Sequence, residues 1–132
     1  LLKDNESNDD KYPKDWCYEG GSFSLICCTN LRYISETAMI GGKDFSKNNG
    51  KLRLVYTKYS DELGRKDYLK FMTKIENGEH LNDDRVKYVD ISEIVMEPCE
   101  DGALKELPMD VDGERRPTEV IYAKILPNKF NI

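Results

Sequence analysis

The sequence predicts a mainly β fold, an antiparallel β-sandwich with one principal helix. Three observations support this fold class. The length of 132 residues is that of one domain. Short runs rich in Val, Ile and Tyr alternate with polar residues at a period of two, which is typical of strands. Turn pairs, Asn49-Gly50 and Asp112-Gly113, stand beside such runs and accept the positive φ angles of hairpin turns.

The predicted strands begin with the segment SFSLICCT, in which Phe23, Leu25 and Cys27 alternate with Ser24, Ile26 and Cys28 and so suit a strand with a well-buried face. Residues 51–57 follow Asn49-Gly50 and place alternate side chains on opposite faces. Four further short runs are predicted at 86–90, 93–97, 108–111 and 120–125. Asp112-Gly113 is predicted to join the last two of these as a hairpin. This succession of short strands favours an antiparallel arrangement.

Residues 60–77 break the period of two and predict the principal helix. Tyr68, Met72 and Ile75 recur at helical spacing, and Leu69 and Phe71 flank them. Ser60 suits the N-cap, and Gly78 suits a left-handed residue after the last turn. The apolar surface either covers one face of the sheet or lines an apolar ligand cavity, and spacing alone leaves both alternatives open.

Composition excludes several classes of protein. The formal charge is −5, and no basic block suggests nucleic acid or an anionic membrane as an electrostatically attracted partner. No run is long enough to span a membrane, and no signal-peptide pattern is present. Residues 1–15 are polar and acidic, so they are predicted to be a flexible lead or linker before a domain at 16–132.

The cysteines and the single histidine limit the chemistry further. Cys17, Cys27, Cys28 and Cys99 show no CxxC pairing, and buried reduced thiols are favoured over a disulfide framework. His80 is the only histidine, which excludes a His-rich zinc site, and no GxSxG elbow accompanies it. A structural, hydrogen-bonded role is favoured for His80 over catalysis.

The turn Asp112-Gly113-Glu114 is the main candidate for chemistry. Its carboxylates suit Mg²⁺, which prefers oxygen ligands, although Asp-Gly is also ordinary turn chemistry. The sequence holds neither GxxxxGK[ST] nor GxGxxG, so it contains no complete nucleotide site.

Taken in order, the fragments resemble a known family. They are GGSFSLICCTN, NNGKLRLVYT, a helix running into ENGEH, VKYVD, SEIVMEP, MDVDGERRP and VIYAKILP. This series, from about Trp16 to Phe130, resembles the C-terminal half of the sphingosine, ceramide and diacylglycerol kinases. The most specific elements are the G-x-H after the helix and the V-D-G-E before the last strand. The VDGE-x-x-P pattern is most similar to the sphingosine, or long-chain base, kinases.

The resemblance implies a function and a set of residues. Members of the family bind ATP and Mg²⁺ between an N-terminal nucleotide-binding domain and a C-terminal lipid-binding β-sandwich, and the lipid's primary hydroxyl attacks the γ-phosphate. By this comparison Asp112, Gly113 and Glu114 approach the nucleotide and the metal, with Glu114 as the catalytic candidate and Asp112 and Glu114 as metal ligands. The lipid pocket would be lined by four residues, Phe71, Met72, Ile75 and His80.

Two features depart from the family pattern. The GGDGT nucleotide loop is absent, and Gly41-Gly42-Lys43-Asp44 does not replace it. Where many relatives carry an acidic turn followed by Leu-Asp, this chain has Asn48-Asn49-Gly50 and then Arg53, so a cation there is not expected.

The resulting expectation is the lipid-binding half of an ATP-dependent sphingoid-base kinase, inactive without its nucleotide-binding domain. Its expected partners are that domain, a lipid substrate and, peripherally, a membrane, with a cytoplasmic location. The alternatives are a diacylglycerol or ceramide kinase half, a pseudokinase half, or a non-catalytic β-sandwich module that binds an apolar ligand or a protein.

Overall fold

The computed structural model describes residues 12–46, 50–60, 65–98 and 109–126. Within these ranges the chain forms seven strands, one α-helix and one 3₁₀ helix. In chain order they are β1 (Phe23–Thr29), β2 (Leu52–Lys58), α1 (Arg65–Ile75), the 3₁₀ helix (Glu79–Asn82), β3 (Val86–Ile91), β4 (Glu93–Met96), β5 (Met109–Val111), β6 (Glu114–Arg116) and β7 (Ile121–Lys124). The predicted mainly β class with one principal helix is confirmed for this part of the chain.

All strand pairs are antiparallel and form three small sheets. The largest has the order β1-β2-β3, and β4 pairs with β7 while β5 pairs with β6. These sheets are small and do not close on one another within the described residues. No helix in the described part is long and apolar enough to cross a membrane.

In β2 the side chains alternate between buried and partly exposed, as the period of two predicts. Arg53, Val55 and Thr57 are buried, whereas the intervening side chains are only partly covered. The buried face packs against α1 and the loop that follows β1. Its apolar centre consists of Ile40, Val55, Ile75 and Val86, with Cys27, Ala38, Phe71 and Leu81 packed around it.

The C-terminal end of α1 follows the predicted pattern. Gly78 has φ 70°, the left-handed conformation that glycine adopts without a Cβ penalty, and its N–H donates to the Ile75 carbonyl at 3.1 Å. The residues between Ser60 and Arg65 lie outside the described ranges. So do residues 1–11 of the expected flexible lead and Cys99.

The Asp112-Gly113 turn makes a hairpin, but with a different strand from the one predicted. Val111 pairs with Glu114, so the chain reverses within two residues and returns immediately as β6. The predicted partner, 120–125, instead pairs with β4 through Ile121–Lys124. The prediction was wrong on this point because β6 consists of Glu-Arg-Arg, which carries no apolar alternation to mark a strand.

The Asn49-Gly50 prediction holds only for the conformation of the glycine. Gly50 has φ 67°, while Asn49 lies outside the described residues. β1 ends at Thr29, and the described residues 30–46 contain no strand, so a long loop rather than a tight turn leads from β1 toward β2. Local turn chemistry therefore identified the backbone conformation but not the connection.

Candidate functional sites

The Asp112-Gly113-Glu114 turn presents its carboxylates to solvent. Asp112 and Gly113 have φ angles of 52° and 81°, the pair of left-handed residues that a two-residue hairpin requires. Open space surrounds Gly113, with no atom within 4 Å of where a Cβ would stand. The positive φ, rather than crowding, therefore explains the glycine.

Glu114 is well exposed and interacts along its own strand. The Arg116 guanidinium donates from Nη2 to Glu114 Oε2 at 2.7 Å, and 72% of the Glu114 side chain is exposed. An ion pair this exposed contributes little to stability. The carboxylate of Glu114 is therefore accessible to a ligand or to another protein domain.

Oxygen ligands are present at the turn, but the described residues contain no complete metal cage. Asp110, Asp112 and Glu114 lie within one short hairpin. No group of three or more His, Cys, Asp or Glu side chains in the described ranges is placed to surround one ion. Mg²⁺ commonly binds one or two carboxylates together with waters and substrate phosphates, and the donor chemistry of Asp112 and Glu114 fits that mode.

The structure brings three of the four predicted lipid-pocket residues together. Ile75 belongs to the core, and the rings of Phe71 and His80 meet edge to face with centroids 5.8 Å apart. Met72, in contrast, is 58% exposed on the outer side of α1. The assignment of these residues to a lipid pocket stays a prediction.

His80 is fully buried and joins two parts of the chain. Its Nε2 lies 3.1 Å from the Ile40 carbonyl oxygen, and this bond fastens the loop after β1 to the 3₁₀ helix. Nδ1 makes no hydrogen bond of good geometry with the described residues. Burial lowers the pKa of His80, although the Ile40 and Lys74 carbonyls act in the opposite direction. His80 is thus buried and hydrogen-bonded to the backbone of another segment.

A small cavity lies beside α1, at the side of Phe71. Its volume is about 20 Å³, and its walls include Thr57, Tyr68, Phe71 and Val86. A space of that size holds about one water molecule. In the described part of the chain it is therefore a solvent-sized gap between the helix and the sheet.

The charged centre of the molecule is Arg53, which sequence reasoning treated only as a departure from a family pattern. Its guanidinium donates to both oxygens of Asp44 and both oxygens of Asp90 at 2.7–3.2 Å, and to the Gly41 carbonyl at 2.8 Å. It also lies 4.8 Å from the Phe45 ring centroid and 5.0 Å from that of Tyr88. The hydrogen bonds to Asp90 and then those to Asp44 raise the pKa of Arg53, although its burial acts in the opposite direction.

The Arg53 contacts fix the loop that His80 also holds. The packing is so close that a Cβ on Gly41 would lie 2.7 Å from the Leu31 carbonyl oxygen. A Cβ on Gly42 would collide with Leu81 Cδ1. The Gly-Gly-Lys-Asp stretch is therefore a packing loop. An arginine at an inward position of a strand was the one sequence signal that could have pointed to this cluster.

Comparison of the chain with protein-family models and with curated proteins finds no match.

Proposed function

We propose that this chain is the lipid-binding, C-terminal half of an ATP-dependent lipid kinase that phosphorylates the primary hydroxyl of a sphingoid base. The observation that carries the proposal is the exposed Asp112-Gly113-Glu114 turn, which combines the VDGE motif with accessible carboxylates. The order of the other motifs along the chain supports the same family.

The carboxylates of the turn have a definite role in this proposal. Asp112 and Glu114 face the nucleotide from the C-terminal side and help to hold Mg²⁺. When bound, the metal neutralises charge on the phosphates, and phosphoryl transfer depends mainly on such neutralisation and on positioning. The base that accepts the hydroxyl proton belongs to the nucleotide-binding domain, so that domain is the required partner.

The lipid-binding part of the proposal concerns α1 and the outer face of the β1-β2-β3 sheet. The outer face of the β1-β2-β3 sheet carries Ile26, Leu54, Tyr56 and Val89, and it remains partly exposed in the described residues. An apolar sheet face of this kind favours a second layer, which would complete the sandwich. Phe71, Met72, Ile75 and His80 would line the lipid pocket, and the protein would be cytoplasmic with peripheral membrane contact.

Glu114→Gln in the full polypeptide tests the function. The exchange is nearly isosteric and removes an exposed charge, so the melting temperature should not change. Lost metal binding should lower turnover by about 10²-fold, about 2.7 kcal/mol at the transition state, and should raise the Mg²⁺ concentration needed.

Glu119→Gln is the matched control, because Glu119 is an exposed carboxylate near the same hairpin. It should retain normal turnover toward sphingosine. Wild-type turnover in the Glu114 variant would remove the catalytic assignment and leave the turn as a hairpin only.

A second candidate is a non-catalytic β-sandwich module that binds an apolar ligand or a protein. The partly exposed sheet face with Ile26 and Val89 favours it, since such faces are commonly covered by a partner. A full polypeptide that binds sphingosine but transfers no phosphate from ATP would support this candidate over the kinase.

A further inference from the structure

Two adjacent arginines follow the Asp112-Gly113-Glu114 turn, and the proposed function gives neither of them a role. Arg115 and Arg116 are the last two residues of β6, and both side chains are exposed. Successive side chains of a strand point to opposite faces, so only one of the two arginines can share a face with Glu114. The register of the hairpin identifies which one does.

Arg116 lies on the same face of the hairpin as Glu114, whereas Arg115 lies on the other face. Glu114 and Arg116 are two positions apart in β6, and Arg116 Nη2 donates to Glu114 Oε2 at 2.7 Å. Arg115 pairs across the hairpin with Asp110. The hairpin therefore has one face with Glu114 and Arg116 and an opposite face with Asp110 and Arg115.

The Arg116 guanidinium has donors to offer a ligand while it contacts Glu114. A guanidinium carries five N–H donors, and the ion pair engages the Nη2 group. The Arg116 side chain is 53% exposed, so solvent reaches it. The planar fork of an arginine matches the spacing of two phosphate oxygens. Arg116 can therefore bind a phosphate without releasing the Glu114 carboxylate.

The two opposite charges of this face suit the two parts of a metal-bound nucleotide. The Glu114 carboxylate suits a divalent cation, and the Arg116 guanidinium suits the phosphates that the cation carries. Because the two side chains are in direct contact, a phosphate on a cation held by Glu114 comes within reach of Arg116. The sequence contains no glycine-rich loop to cradle phosphates with backbone N–H groups, so a cationic side chain takes on that contact here.

We propose that Arg116 binds a phosphate group of the nucleotide beside Glu114, and that Arg115 takes no part in this contact. The inference rests on the proposed function, because it takes Glu114 as a residue of the nucleotide site. It adds a direct phosphate ligand to the carboxylates of the turn, and it assigns different roles to two adjacent residues of the same type.

The test is equilibrium binding of ATP to the full polypeptide, measured with Mg²⁺ and again with EDTA. Arg116→Gln should weaken binding about tenfold in both conditions, because the guanidinium contacts phosphate without the metal. Arg115→Gln is the matched control, since it removes the same charge one residue away on the other face. It should bind ATP within about twofold of the wild type, because solvent and salt screen an exposed charge that makes no contact.

The dependence on metal separates Arg116 from Glu114. Glu114→Gln should weaken ATP binding only when Mg²⁺ is present, because the carboxylate acts through the cation. With EDTA it should bind ATP at least as tightly as the wild type, since a negative charge near the phosphates has been removed. Arg116→Lys keeps the charge without the fork and should give an intermediate affinity. All of these side chains are exposed, so the melting temperatures should stay at the wild-type value.

Three results would overturn the proposal. The first is unchanged ATP binding in Arg116→Gln, and the second is an equal loss of binding in Arg115→Gln. The third is a loss that appears only with Mg²⁺, which would show that Arg116 acts solely by positioning Glu114. Normal ATP binding combined with weaker binding of phosphorylated sphingosine would assign Arg116 to the lipid product, and it would overturn the proposal as well.

The inference and the proposed function can fail separately. A polypeptide that binds ATP through Arg116 but does not phosphorylate sphingosine would contradict the proposed function alone. Phosphorylation that depends on Glu114, in a protein whose Arg116→Gln variant binds ATP normally, would contradict the inference alone. A wild-type polypeptide that binds no ATP would overturn both.

Discussion

Arg53 shows how one residue can organise a large part of a small domain. Its charge lies on the central strand with only 4% of the side chain exposed, and it connects β2 to the loop through Asp44 and to β3 through Asp90. A buried guanidinium is costly unless its donors are satisfied, and here both carboxylates and a carbonyl satisfy them. The planar guanidinium group makes this arrangement possible, because its several N–H donors can reach two carboxylates while its face lies against aromatic rings.

Arg53→Lys should lower the free energy of unfolding by about 2 kcal/mol, measured as the urea midpoint. Lysine keeps the charge but cannot bridge two carboxylates or stack between the Phe45 and Tyr88 rings. The control Arg116→Lys changes an exposed arginine and should cost less than about 0.5 kcal/mol. Equal losses in the two variants would show that the fork geometry of Arg53 is unimportant.

His80 should make stability fall as the pH falls below neutrality. Burial lowers its pKa in the folded state, whereas the unfolded chain has the ordinary value of about 6.5. The unfolded state therefore binds a proton first, so stability is full above about pH 7.5 and declines as the pH falls through 6.5 toward the folded pKa.

The measurement is the urea midpoint at several pH values between about 7.5 and 5.5, compared with His80→Gln. The variant loses the ring packing and should be less stable throughout, but its midpoint should vary less with pH. Identical slopes in both proteins would show that His80 does not cause the dependence.

At the scale of elements, contacts with two other segments hold the C-terminal end of α1. The Met39 N–H donates to the Ile75 carbonyl at 3.0 Å, and Lys74 pairs with Asp83 at 3.3 Å. Asp83 also accepts from Arg85, and these bonds lower the pKa of Asp83. The outer side of the helix, with Leu69 and Met72, remains open to solvent or to a ligand.

Met72→Trp tests whether this outer side meets a lipid. Because Met72 is largely exposed, the larger ring should change the free energy of unfolding by less than about 0.5 kcal/mol. In the full polypeptide it should raise the KM for long-chain lipids and leave that for short-chain lipids and ATP unchanged. Leu69→Trp, at a neighbouring exposed position not assigned to the pocket, should change none of these values.

A loss of stability in Met72→Trp without chain-length dependence would place the residue in a structural contact. Equal KM values in the variant and the wild type would remove Met72 from the lipid pocket.

At the scale of the whole molecule, α1 and the loop after β1 cover one face of the β1-β2-β3 sheet within the described residues. The other apolar face and the exposed turn at Asp112 both suit contacts with further protein. The proposed arrangement with a nucleotide-binding domain would use these two surfaces.

The isolated 132-residue chain should transfer no phosphate from ATP to sphingosine. The chain has no Gly-rich loop to cradle phosphates, and that cradle supplies much of the positioning in phosphoryl transfer. The measurement is a radiolabelled ATP assay with the full polypeptide as the positive control. If the isolated chain transferred more phosphate than its Glu114→Gln variant, the proposal that catalysis requires the nucleotide-binding domain would be contradicted.

The mainly β class, the helix and several backbone conformations could be predicted from the sequence. Period-two runs identified β1 and β2, a run rich in Val and Tyr identified β3, and Gly78 marked the left-handed residue after α1. These properties depend on neighbours within a few residues, and local sequence contains those neighbours.

Only the tertiary structure decided which elements meet and which side chains become enclosed. It paired β7 with β4, brought Asp44 and Asp90 to Arg53, buried His80 and left Met72 outside. Asp44 and Asp90 lie 9 and 37 residues from Arg53 along the chain. Their meeting depends on packing and on the cost of burying an unpaired charge, and no local pattern encodes either.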